Sequence, residues 1–158
     1  MNFFIVQQAP ILSPDQIREQ VRWLREPAYL WISRRVLELS YTTYSVSPFA
    51  RECGDDGAPF RWSSGRRALI QAELDAAVFH LYGVSRSQVN WVLDSFRVLE
   101  KNESKDYGEY RTKRLILEVF DAMEQAIDAE EPYETPLKPA PGFGPRHPAH
   151  PSPQETSS

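Results

Sequence analysis

The chain has 158 residues, one domain's worth, with 41% hydrophobic residues and a formal net charge of −4, so it presents no overall basic field to nucleic acid. The single cysteine, Cys53, excludes an internal disulfide. One Cys with three scattered His does not make a structural zinc site, which fits a reducing, cytoplasmic setting. No stretch approaches the ~18 apolar residues of a membrane span, and the N-terminus lacks the basic region and long apolar run of a signal peptide.

In chain order, residues 1–12 read as an extended N-terminal segment, with Phe3-Phe4-Ile5-Val6 as a short strand of the kind that pairs with a sheet in a preceding domain. Ser13-Pro14-Asp15 has the signature of a helix start, and Ile17, Val21 and Leu24 line one face of a helix that runs to Pro27. A second helix spans residues 28–39, with Tyr29, Ile32, Val36 and Leu39 on its inner side. Residues 41–64 contain Pro48, Gly54, Gly57 and Pro59 and show no sustained period. A structureless loop of this length in a small domain suggests docking, and Phe49, Phe60 and Trp62 are its partner-binding candidates.

Residues 66–82 carry the strongest helical signal, with Ile70, Leu74, Ala77, Val78 and Leu81 on one stripe and Gly83 as the stop. Ser85 and Gln88 have capping-box spacing for a short helix that turns Val89, Val92 and Phe96 inward. The last helix runs over residues 109–127 and buries Thr112, Ile116, Val119, Phe120, Met123 and Ile127. Eight of the thirteen prolines fall in residues 132–158, a composition read as a disordered tail. The expectation is a mainly α protein: about five amphipathic helices in a small bundle over residues 13–131, flanked by an extended segment and a Pro-rich tail.

Three groups of residues carry candidate chemistry. Arg111, Lys113 and Arg114 at the start of the last helix form a basic cluster able to grip DNA phosphates, with Arg66 and Arg67 at the opening of the long helix as a second patch. The alternative for this cluster is intramolecular, through a Glu109–Lys113 pair and an Arg114–Glu118 pair. Asp94, Glu103 and Lys105 have the acid-acid-lysine spacing of metal-dependent nucleases. Asp94 at a helix end and Glu103 in a polar loop do not match the strand hairpin such a site needs, so solvated charges around a turn are the simpler reading. His80, between Phe79 and Leu81 on a helix, reads as a partly buried structural histidine.

Several segments in order resemble one known family. They are Phe3-Phe4-Ile5-Val6, then Arg34-Arg35-Val36-Leu37-Glu38-Leu39-Ser40-Tyr41, Phe60-Arg61-Trp62, Arg66-Arg67-Ala68, and Glu73-Leu74-Asp75-Ala76-Ala77-Val78-Phe79-His80-Leu81-Tyr82-Gly83-Val84. Asn90-Trp91-Val92-Leu93-Asp94-Ser95-Phe96 and Tyr107-Gly108-Glu109-Tyr110-Arg111-Thr112-Lys113-Arg114 complete the series. Over residues 3–130 the chain resembles the C-terminal region of large adenine-specific DNA methyltransferases, the type IIG-like restriction-modification enzymes and their BREX- and DISARM-associated phage-defence relatives. The resemblance implies a helical module packed on the recognition domain of an enzyme that methylates adenine with S-adenosylmethionine. The chain contains neither a glycine-containing cofactor turn after a strand nor an Asn-Pro-Pro-Tyr/Phe motif, so no catalytic or cofactor-binding residue transfers to it. The implied partners are DNA, through its backbone, and the methyltransferase body or recognition domain, the chain being a separately encoded or excised piece. The alternatives are a non-enzymatic protein-protein interaction module and a small metal-dependent nuclease.

Overall fold

The computed structural model of the protein describes residues 21–149. They form six α-helices: α1 (Ala28–Ser40), α2 (Ser47–Glu52), α3 (Ser64–Leu81), α4 (Arg86–Asp94), α5 (Arg97–Tyr107) and α6 (Arg111–Asp128). A 3₁₀ turn, Tyr44–Val46, leads into α2. The mainly helical bundle expected from the sequence is what forms. The extended segment and the start of the first expected helix lie outside the described residues, and residues 21–26 are turn and bend rather than helix.

The main core joins Trp23, Leu24, Ala28 and Trp31 to Ala72, Ala76 and Ala77 of α3, Val89 and Leu93 of α4, and Ile116, Val119, Phe120 and Met123 of α6. α3 and α6 make the most extensive helix–helix contact. The alanines explain how: a low side-chain surface lets a second helix approach closely, and the long apolar side chains of α6 fill the space. A smaller cluster, Leu37, Tyr41, Ala50 and Phe60, lies under the segment between α1 and α3. That segment, expected to be structureless, is folded by local bonds: Phe60 N donates to the Tyr41 carbonyl at 2.8 Å, and the Tyr41 hydroxyl to the Gly57 carbonyl at 2.9 Å.

Two helical faces differ from the expected stripes. In α1 the inward residues are Ala28, Trp31, Arg35, Leu37 and Glu38, whereas Tyr29 and Val36 are exposed. In α3, Glu73 is fully buried at 0% exposure while Val78 is exposed. Both helices are turned by ion pairs. Arg35 donates Nε to the Glu73 carboxylate at 2.9 Å and lies 3.2 Å over the Trp31 ring, and the Tyr133 hydroxyl donates to the other Glu73 oxygen at 2.9 Å. Arg66 forks onto Glu38. A periodicity count scores Arg35, Glu38 and Glu73 as outward, but a charged residue with a matched partner can face inward. Among the described residues every buried side-chain nitrogen and oxygen has a hydrogen-bond partner.

The α4 start is as expected. Ser85 accepts from Gln88 N while the Gln88 side chain accepts from Ser85 N, a complete capping box. Its inward face is Val89 and Leu93, and Phe96 is exposed rather than buried. The polar run after it is a helix, α5, not a loop. In α6, Ile116, Val119, Phe120 and Met123 are buried as expected, and Ile127 lies at the exposed margin.

The largest departure is the proline-rich segment. From Pro132 to Ala149 it lies against the helices through specific bonds. Tyr133 N donates to the Trp23 carbonyl at 2.9 Å. Gly142 N reaches Glu38 at 2.8 Å, and a Cβ on Gly144 would run into the Glu38 carboxylate and force it to shift from its bonds to Arg66 and Gly142 N. Arg61 N donates to the Pro145 carbonyl and His147 N to the Pro59 carbonyl, each at 2.8 Å, around an antiparallel bridge between Phe60 and Arg146. The expectation of a tail without structure from residue 132 is therefore corrected through residue 149. Proline removes donors but also lowers the entropy lost on ordering, so a few anchored side chains are enough to fix an extended strap. No helix among the described residues is long and apolar enough to cross a membrane.

Candidate functional site

The residues singled out from sequence fall into two groups. In the first, the cation is held by the protein itself. Arg66 is bound by Glu38, and its guanidinium also donates to the Pro139 carbonyl at 2.8 Å. Lys113 reaches Asp94 at 2.5 Å, which ties α6 to the end of α4. Arg114 lies between two carboxylates, Glu109 with Nε at 2.9 Å and Glu118 with Nη1 at 2.9 Å. Those bonds, with the nearby charge, hold the Glu109 carboxyl below the ordinary carboxylate range and push the Arg114 guanidinium upward. The Arg114–Glu118 pair is the intramolecular alternative read from sequence, whereas Lys113 takes Asp94 rather than Glu109. Three of the five candidate phosphate ligands are thus matched by internal anions.

The acid-acid-lysine spacing has the same fate. Asp94 is the partner of Lys113 and also accepts from the Asn90 side chain at 3.0 Å. Glu103, on α5, caps α6: its oxygens accept from Thr112 N at 2.7 Å and Thr112 Oγ1 at 2.5 Å. A carboxylate at a helix N-terminus satisfies a donor that the helix cannot and complements the helix dipole. Among the described residues no group of three or more His, Cys, Asp or Glu is placed to hold a metal ion. His80 is structural, its Nε2 3.0 Å from the Phe120 carbonyl and its ring stacked on Phe120 at 3.9 Å between centroids.

The second group faces outward. Arg67 donates Nη1 to the Leu39 carbonyl at 2.8 Å and lies 3.8 Å over the Trp62 ring. Trp62 is 67% exposed. Arg111 lies 5.2 Å over the ring of Tyr107, itself 58% exposed. These four residues, with Ser64, Gln71 and Thr112, line one cavity of about 260 Å³ between α3, α5 and α6. Among the described residues neither Arg67 nor Arg111 has a carboxylate within salt-bridge distance. Neither guanidinium makes an ion pair, although the Arg111 charge acts on the nearby Glu109 carboxyl, and each lies beside an exposed aromatic ring.

Tyr107 and Gln71 were not singled out from sequence. Tyr107 had one signal, its place just before Gly108, whose φ of 76° ends α5 and aims the chain into α6. The sequence reading grouped Phe60 with Trp62, but they face opposite ways. Phe60 is 1% exposed, covered by the Arg146 guanidinium at 3.8 Å, and is closed to any partner. Phe49 is exposed. Trp91 (74% exposed), Phe96 and Val98 are exposed apolar residues within eight positions of one another where α4 gives way to α5. No protein-family model, no curated protein and no solved structure matches the chain.

Proposed function

We propose that the chain is a C-terminal helical module of an adenine-specific DNA methyltransferase of a restriction-modification or phage-defence system, one that positions DNA and the recognition domain while the catalytic body performs the chemistry. The observation that carries this reading is that the segments resembling that family are bonded to one another. Arg35 meets Glu73, Glu38 meets Arg66, Lys113 meets Asp94, and Phe60 N meets the Tyr41 carbonyl, each bond joining two such segments. Such bracing makes these segments one packed unit, as a single module requires. Methyl transfer from S-adenosylmethionine belongs to the body, and DNA contact by this module falls to Arg67 and Arg111, the candidate cations without internal anions.

The test is reconstitution in the cytoplasm-like conditions of a reducing buffer. A methyltransferase body of this family lacking its own C-terminal region is mixed with the chain, and co-elution and adenine methylation are measured. A stable complex with restored methylation is expected. Separate elution with no change in methylation would defeat the reading.

A second reading, a non-enzymatic protein-protein interaction module, is favoured by the Trp91, Phe96 and Val98 corner. Exposed apolar residues concentrated at one place mark interaction surfaces more often than singly scattered ones do. Under that reading the chain binds a protein other than the methyltransferase body, Trp91→Ala weakens that binding, and methylation by the body is not restored. Metal-dependent nuclease activity has no comparable support, because Asp94 and Glu103 are both engaged in holding α6.

A further inference from the structure

We propose that the cavity walled by Trp62, Arg67, Tyr107 and Arg111 binds an unpaired nucleotide, its base on the exposed aromatic faces and its phosphate at Arg111. This rests on the reading that the module contacts DNA, and it deepens that reading by naming what is bound. An indole and a phenol ring left open to water beside two guanidiniums that make no ion pair form the combination that single-stranded nucleic acid uses. Bases stack on aromatic planes, and cations follow the backbone. A duplex has no base face to offer, since its bases are stacked on one another.

The rings are held in place before any ligand arrives. The Arg67 guanidinium is fixed by its bond to the Leu39 carbonyl at the end of α1, and Trp62 rests on that guanidinium at 3.8 Å. Tyr107 sits at the last position of α5 and is flanked by Arg111 at 5.2 Å. A cation on one side of an aromatic ring is attracted by the ring quadrupole and restrains it, so little side-chain entropy is lost when a base stacks on what remains open. Gln71 and Ser64 supply amide and hydroxyl groups to the same cavity, which suits the edge of a base. The one acid in the wall, Glu103, accepts from Thr112 N and Thr112 Oγ1, which holds its carboxylate against the start of α6.

The experiment measures fluorescence anisotropy of a labelled oligothymidylate, a labelled duplex and a labelled adenosine monophosphate, each against the full chain at several salt concentrations. The single strand is expected to bind at least about tenfold more tightly than the duplex, since only it offers stackable bases. Trp62→Ala should weaken it by about five- to a hundredfold, the range for losing one base–aromatic stack. Arg111→Gln should weaken it and reduce the slope of log affinity against log salt by about one phosphate contact. Trp91→Ala, outside the cavity, should change nothing, and circular dichroism of each variant confirms folding. Monophosphate binding that equals the oligonucleotide and shares its Trp62 dependence assigns the same nucleotide pocket to a free ligand. Equal binding of duplex and single strand, indifferent to Trp62→Ala, overturns the pocket and leaves phosphate contact by the module standing. If no nucleic acid or nucleotide binds while the methyltransferase body binds in a Trp62-dependent way, the cavity is a protein-docking surface and the proposal fails.

Discussion

Two regions of this molecule use the same residue types to opposite ends. Beneath the C-terminal strap, arginines and aromatics are closed by carboxylates: Arg35 with Glu73 and Tyr133, Arg66 with Glu38, Arg146 with Asp55 at 2.5 Å over Phe60. At the junction of α3, α5 and α6, Arg67 and Arg111 lie on Trp62 and Tyr107 without an ion pair, and Glu103, which lines the same cavity, is bonded to Thr112. The first arrangement is inward, satisfied and structural. The second is outward and electrostatically incomplete, which is what a binding surface requires. An arginine beside an aromatic ring is thus uninformative until its counter-ion is known.

The sharpest way to break this comparison is at the buried pair. Glu73→Ala leaves the Arg35 guanidinium buried without its anion and the Tyr133 hydroxyl without its acceptor. A loss of about 3–5 kcal/mol is expected, read as a lower midpoint in urea denaturation. A loss below 1 kcal/mol would mean that the network is not a brace.

Tyr133→Phe removes only the hydroxyl of that network and should cost about 1.5–3 kcal/mol, because the bond lost is to a charged group. It also has a pH signature. Burial first, then the Glu73 charge and hydrogen bond, raise the Tyr133 hydroxyl above its ordinary value. A group whose folded value is raised contributes stability that is whole below its unfolded value, about 10 for tyrosine. That contribution is lost progressively as the pH climbs beyond about 10, because the unfolded chain ionises first. Stability should therefore fall from about pH 10 upward in the wild type, and the fall should be shallower in Tyr133→Phe. Tyr110, raised by burial and by the charges of Glu103, Glu100 and Asp94, contributes a residual slope of the same sign.

Arg146→Ala tests whether the strap is part of the fold. It removes the Asp55 pair, the Nη1 bond to the Ala58 carbonyl at 2.6 Å and the cover over Phe60, for an expected loss of about 1–2 kcal/mol. Limited proteolysis should then cut between Glu131 and Arg146 in the variant but not in the wild type. Equal cleavage in both would restore the picture of an unattached tail. The smallest effect is expected at Arg114→Gln, whose ion pairs lie in solvent where such pairs contribute little. The melting temperature should stay within error, and binding of a single-stranded oligonucleotide should change far less than in Arg111→Gln.

The sequence by itself determined the helical class, the capping box at Ser85 and Gln88, the stop of α3 ahead of Gly83 and the buried face of α6. Each of these depends on residues within a few positions of one another. What only the tertiary structure decided depends on partners far apart in the chain. Residues 35 and 73, 73 and 133, and 55 and 146 meet across the fold, and no local period encodes their charge matching. Those meetings turned α1 and α3 on their axes and ordered a proline-rich strap that composition assigns to disorder, and Glu38 and Asp94 likewise reach Arg66 and Lys113 from other helices, whereas Arg114 is paired locally. Arg67 and Arg111 are left without an ion pair at one cavity, because ion pairing across a fold is a property of positions in space and not of positions in sequence.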